Sequence, residues 1–310
     1  MKPRDFLIIG AQKCATTALF EHLRQHPDIA MPLEKEVPFF TTGDCSQEDW
    51  DAFARDHFGS DRVHQLWGKA SPQYMCDPLV PARIRGLMPG IKLVAILRDP
   101  IERTWSHFQM GLRRETEQRD FAAVIQSLLG EEARAGARGL PVPDHADGYQ
   151  SEADFYVAWS EYGRSLERFN ACLDPGQLLV LYTEELEAEP EATLDRLLEF
   201  IGLPTGFRPP TLGKVIHRGG TGKRIPQSVR AWLRQRRLLY WVWQQLPETR
   251  RGRLRFQYEQ WNVNNDGNPM ALPADLHDQL RQHYAADISS LLSLPVAPPP
   301  WADRYLPVAS

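Results

Sequence analysis

The chain has 310 residues, 42% of them hydrophobic and 25% charged, with a formal net charge of −4. That length and balance suit a globular protein with a sizeable core, and they exclude a general nucleic-acid binder, which needs a basic surface to neutralise phosphates. Seven of the 36 basic residues are lysine, an arginine bias that fits a GC-rich, bacterial genome.

In chain order, Phe6-Leu7-Ile8-Ile9 is a short apolar run ending at Gly10. A loop and a helical pattern from Ala18 to Leu23 follow, giving strand, loop, helix. Asp77-Pro78 opens a helix running to about Met88, with Pro89-Gly90 as its stop. Residues 92–97 form the continuous apolar run of a buried parallel strand. Pro100 suits the first turn of a helix running to about Leu112. Residues 131–152, rich in Gly, Pro, Ala and charge, read as an exposed insertion or mobile loop. A helix at about 155–171, a strand at Leu178–Tyr182 and a helix at 190–202 come next. Residues 205–226 read as a basic functional loop, with helices near 226–247 and 273–293 after it. Trp301 and Tyr305 sit in a Pro-rich tail predicted to pack back on the rest. The alternation predicts a single α/β domain over 1–310, with a mainly parallel central sheet covered by helices on both faces.

Gly10-Ala11-Gln12-Lys13-Cys14-Ala15-Thr16-Thr17 lies between the first strand and the first helix. Backbone N–H groups and a helix N-terminus converge at such a place and favour an anion. Lys13 adds charge, and Thr16 and Thr17 add hydroxyl donors. A plain strand–helix turn is the bland reading. The spacing is not that of an ATPase loop, in which lysine directly precedes the hydroxyl residue. Arg98-Asp99-Pro100 leaves the C-terminal end of the second strong strand, where ligands collect in open α/β sheets. A guanidinium there can grip a phosphate bidentately, and Ser106 lies about two helical turns further on. A surface Arg–Asp pair and a helix-buried Ser are the competing reading.

Together these segments resemble the PAPS-dependent sulfotransferase family (PAPS being 3′-phosphoadenosine 5′-phosphosulfate), with its G-x-x-K-[CTS]-G-T-T loop and R-[DN]-P-x-x-R-x-x-S-x-[FY] motif. The branch most similar includes bacterial enzymes and the heparan sulfate N- and 3-O-sulfotransferases, and its fold has a P-loop-like sheet. The resemblance implies that Gln12, Lys13, Cys14, Ala15, Thr16 and Thr17 hold the phosphosulfate. It implies that Arg98 and Ser106 bind the 3′-phosphate. Tyr162 falls where the family keeps a donor-site tyrosine, and is equally suited to a core. His217-Arg218-Gly219-Gly220-Thr221-Gly222-Lys223-Arg224 resembles the basic lid loop, with Lys223 and Arg224 at its paired cations. Glu34-Lys35-Glu36-Val37-Pro38-Phe39-Phe40 resembles K-E-x-H-F-F, which makes Glu36 the general base and Lys35 a candidate for sulfate oxygens or an anionic acceptor. Gly68-Lys69-Ala70-Ser71-Pro72-Gln73-Tyr74 resembles G-E-K-[ST]-P-x-Y, placing Lys69 and Tyr74 near the acceptor.

Ala15 replaces a glycine, Pro38 a histidine or glutamine, and Lys69 a glutamate. If the Ala15 position needs positive φ, alanine is strained there. The implied reaction moves a sulfuryl group from PAPS to a hydroxyl or amine of a carbohydrate, lipid or small metabolite, leaving 3′-phosphoadenosine 5′-phosphate (PAP), with no metal. A P-loop small-molecule kinase and a catalytically inactive nucleotide-binding homologue are the alternatives. The four cysteines, Cys14, Cys45, Cys76 and Cys172, form no C-x-x-C pair, so no zinc or redox motif is predicted. Dispersed thiols fit a reducing cytoplasm, and no stretch is apolar for the length of a membrane span.

Overall fold

A computed structural model describes residues 5–32, 34–43, 45–58, 65–142, 150–213, 222–223, 263–264 and 272–306. Its centre is a parallel sheet of five strands: β1 (Phe6–Gly10), β2 (Ile29–Ala30), β3 (Leu66–Ala70), β4 (Lys92–Leu97) and β5 (Leu178–Tyr182). Their spatial order is β2-β3-β1-β4-β5. The described helices are α1 (Thr16–Leu23), α2 (Gln47–Phe58), α3 (Val80–Leu87), α4 (Pro100–Arg114), α5 (Phe121–Leu128), α6 (Glu131–Gly139), α7 (Tyr162–Asn170), α8 (Thr183–Ala188), α9 (Pro190–Phe200) and α10 (Ala274–Ser293). None is long and apolar enough to cross a membrane.

Strand periodicity sorts the core into two layers. Leu7, Ile9, Leu93, Ala95 and Leu97 face one cluster, with Trp50 of α2, Ile84 of α3, Phe108 of α4, Leu166 of α7 and Ile288 of α10. Phe6, Ile8, Val94 and Ile96 face the other, with Leu19 of α1 and Leu194 and Leu197 of α9. The sheet is therefore covered on both faces, which is why β1 and β4 read as unbroken apolar runs. The tail packs back as expected: Trp301 and Tyr305 are buried in the first cluster, and the Tyr305 hydroxyl donates to Asp99 Oδ1 at 2.7 Å.

One reading is corrected. Residues 131–152 are not one exposed loop: 131–139 form α6, and the 3₁₀ turn at Gln150–Asp154 buries Glu152 to 4% exposure. Lys69 lies within β3, which pairs with both β1 and β2. Of the basic loop at 205–226, Gly222–Lys223 pairs antiparallel with Val263–Asn264, in a ribbon that approaches α4. Arg224, His217, Arg218 and the helix expected near 226–247 lie outside the described residues.

Candidate active site

The site is built at the C-terminal ends of β1, β3 and β4, and backbone bonds stitch their loops together. Ala11 N donates to Ile96 O at 2.8 Å, Ser71 N to Ile8 O at 2.9 Å and Met75 N to Ile9 O at 2.9 Å. Gly10 is required by this closeness: a Cβ there would stand 2.6 Å from Cβ of Met75. Beyond it the loop takes two left-handed turns, Lys13 at φ 73° and Ala15 at φ 59°. Ala15 does occupy a conformation suited to glycine, at a cost of about 1 kcal/mol. Two left-handed residues this close together at the start of α1 are a feature shared by anion-binding turns, with the Cys14 N–H donating to Ala11 O at 3.2 Å.

Arg103 holds this loop from beneath. It is fully buried in α4, and its Nε donates to Gln12 O at 3.0 Å and its Nη1 to Tyr156 O at 3.1 Å. Tyr162 and Cys14 also stand behind the loop. Both are buried, with the Cys14 sulfur 3.6 Å from the Tyr162 hydroxyl. Burial raises the Cys14 thiol to about 11, so it remains protonated as packing. Tyr162 thus belongs to the wall that supports the loop.

The open side of the loop is strongly cationic. Burial, followed by repulsion from Arg113, Arg114 and Arg103, lowers Lys13 from 10.5 to about 7. Burial and Arg114 lower Arg113 to about 10. Cations packed this closely favour a polyanion, which relieves their mutual repulsion. Arg113 and Arg114 escaped the sequence reading, although helical spacing carried a signal. Ser106 and Arg113 lie two turns apart on one face of α4; Arg103, His107 and Arg114 share a neighbouring stripe.

Glu36 arrives from the segment after α1. Its own backbone has φ 68°, and its N–H donates to Ala70 O at 3.1 Å, fixing it to the end of β3. Its carboxylate pairs with Lys35 Nζ, and that ammonium also reaches Thr16 Oγ1 at 3.4 Å. Burial pushes the Glu36 carboxyl up, but the charge and hydrogen bond of Lys35, helped by Arg114, outweigh it and hold the group below its usual value. Phe39 and Phe40 anchor the segment in the core.

Lys69 is 1% exposed. Its ammonium donates to Ser71 Oγ and, at 2.8 Å, to the Tyr74 hydroxyl, and it lies 4.6 Å from the Tyr74 ring centroid. Burial lowers it to about 7, against the opposing pull of Glu36. The basic group displaced along this motif is therefore inside the wall, close enough to feel Glu36. Tyr74 is equally buried, its ring edge-on to Phe40.

On the other side of β1, Arg98 leaves β4 and gives Nε and Nη2 to Glu102 Oε2 at 2.9 and 2.6 Å. Arg98 and Cys14 influence each other electrostatically, so this guanidinium borders the loop. Ser106 sits two turns along the same helix, half-buried. Glu152 was not anticipated as a site residue. Its carboxylate accepts from Gln73 Nε2 at 2.9 Å and Arg114 Nη1 at 3.2 Å, with Gln12 Nε2 at 3.4 Å. Its surroundings, rich in Gly, Pro, Ala and charge, gave no signal for it.

Residues 3–218 match the family described as sulfotransferase domain. Human bifunctional heparan sulfate N-deacetylase/N-sulfotransferase 3 is 30% identical over 206 residues, covering 64% of this chain and 22% of that protein. Mouse heparan sulfate glucosamine 3-O-sulfotransferase 3B1 is 28% identical over 202 residues, covering 64% of this chain and 45% of that protein. The match thus spans less than half the length of each of these relatives. Among solved structures, a sulfotransferase from Alicyclobacillus acidocaldarius aligns over 93% of both chains with a TM-score of 0.61 at 22% identity, a likeness of fold.

Proposed function

The chain belongs to the sulfotransferase domain family, and we propose that it transfers a sulfuryl group from PAPS to a hydroxyl or amine of a carbohydrate, lipid or small metabolite. The observation that carries this reading is the bridge made by Lys35. One ammonium touches Glu36 on one side and Thr16 of the phosphate loop on the other. The carboxylate read as base and the loop read as anion holder thus share one cation, which supports this reading.

In this mechanism the loop N–H groups, Lys13 and the Thr16 and Thr17 hydroxyls hold the 5′-phosphosulfate, and Arg98 and Ser106 hold the 3′-phosphate. The acceptor oxygen or nitrogen attacks sulfur in line. Its proton passes to Glu36 as the S–O bond to the leaving phosphate breaks. Negative charge grows on the bridging oxygen, and Lys13 neutralises it. Glu36 is ionised at neutral pH, but its pairing with Lys35 makes it a weak base. When Lys35 turns to the sulfuryl oxygens that restraint is lifted, and the carboxylate gains basicity as the donor settles.

The test is transfer of label from PAPS to a panel of acceptors, with PAP binding followed by calorimetry. Lys13→Ala and Glu36→Gln are each expected to lower kcat/KM by about 10²-fold or more, Glu36→Gln with PAP affinity retained. Full activity in both variants would remove the assignment. Binding of ATP with magnesium in preference to PAP would replace the reaction by phosphoryl transfer.

A further inference from the structure

Glu152 is a buried carboxylate with no part in the chemistry above, and burying a charge is costly unless something gains from it. It is 4% exposed and stands where three site-bearing segments meet. From the phosphate loop, Gln12 Nε2 approaches Oε1 at 3.4 Å. From the turn after β3, Gln73 Nε2 donates to the same oxygen at 2.9 Å. From α4, Arg114 Nη1 donates to Oε2 at 3.2 Å, and His107 Nε2 lies 3.5 Å from it.

We propose that Glu152 is a positioning residue for donor binding. One oxygen holds the Gln12 side chain, and the other sets where the Arg114 charge stands. Both effects reach Lys13. Gln12 is its chain neighbour, clamped from the far side by Arg103 through Gln12 O at 3.0 Å and Gln12 Oε1 at 3.4 Å. Arg114 is one of the cations that act directly on Lys13 and on Glu36. A single acidic group therefore ties the left-handed turn of the loop to the cationic end of α4. A neutral amide in its place keeps one acceptor and turns a donor the other way, so it cannot serve both the Gln12–Gln73 pair and Arg114, and Arg114 loses its buried counter-charge. The inference rests on the donor reading for its consequence, but not for the loop geometry itself.

The test uses the full chain, with Glu152→Gln and Glu152→Asp beside the parent. Three quantities are read: amide exchange across residues 10–17 without ligand, PAP affinity by calorimetry, and melting temperature. Glu152→Gln is expected to speed loop exchange and weaken PAP binding, each about tenfold. Glu152→Asp, which keeps the charge, is expected to recover most of both at a similar melting temperature. A merely structural role would instead make affinity follow melting temperature in the two variants, and that pattern overturns the proposal. So does loop exchange in Glu152→Gln equal to the parent's. Should Glu152→Gln not fold, Gln12→Ala severs the loop side of the contact, together with the Arg103 Nη2 bond to Gln12 Oε1, and unchanged exchange there has the same force. A parent chain that fails to bind PAP would remove the donor reading, and the exchange comparison would still decide whether Glu152 fixes the loop.

Discussion

At the scale of single residues, the site is governed by what burial does to charge. Lys13 keeps a proton poorly, at about 7, because it is buried and three guanidinia repel it. A bisphosphate brought against it reverses that balance and raises its pKa. Binding above neutrality must therefore take up a proton. Calorimetry of PAP binding at pH 8 in buffers of different ionisation enthalpy is expected to show uptake of about one proton per site. The ligand's phosphates, with second pKa values near 6, are already ionised there and contribute little. Affinity is expected to fall as pH rises through about 7, since above that point the lysine must be reprotonated first. Lys69 is also held at about 7, but it is sealed behind Ser71 and Tyr74. Loss of the uptake in Lys13→Ala assigns the proton. Uptake that survives this substitution moves it elsewhere.

At the scale of elements, α4 is the organising piece. Asp99 caps it, accepting from Ile101 N at 3.0 Å and Glu102 N at 3.2 Å. Pro100 fills its first turn, and this start was legible because capping and proline leave a local signature. The strands β4 and β5 were legible for a similar reason, as apolar runs ending in polar residues. Strand β3 was not: Leu66-Trp67-Gly68-Lys69-Ala70 places a glycine and a lysine where a buried strand should be apolar. Its lysine is tolerated through the hydroxyls of Ser71 and Tyr74, partners that no apolar strand pattern signals. Just before α4, Arg98 spends its guanidinium on Glu102, a pair exposed to solvent by 34% and 51%. Such a pair is worth at most about 1 kcal/mol, and Glu102 also repels a phosphate approaching Arg98. Glu102→Gln is therefore expected to tighten PAP binding by about two- to fivefold. Weaker binding by calorimetry would mean that Glu102 serves to aim Arg98.

At the scale of the whole molecule, the proposed donor site depends on chain far from its motifs. The loop, the Arg98 turn and Glu36 were readable because each is a contiguous run of residues. Glu152 was not, because its meaning arises only when α4 and the turn at Gln150–Asp154 fold against the loop, and Arg113 and Arg114 showed only as a helical spacing. The C-terminal tail shows the same dependence. Tyr305 donates to Asp99 Oδ1 at 2.7 Å and Arg304 Nη1 to Asp99 Oδ2 at 3.1 Å, so the last described turn holds the cap of α4. Trp301 is buried against Tyr182 at the end of β5, with ring centroids 6.1 Å apart. Tyr305→Phe removes one charge-assisted bond to a carboxylate that keeps its helix N–H donors and Arg304. The expected cost is about 1–2 kcal/mol, toward the lower end for a bond to a charged group, measured as a shift in denaturant midpoint at unchanged slope. PAP affinity should fall with it by a small factor, because Arg98 directly precedes the cap. A stability loss with PAP affinity unchanged would show that the tail supports the fold but not the placement of Arg98. No stability loss would show that Asp99 is held well enough by its own helix.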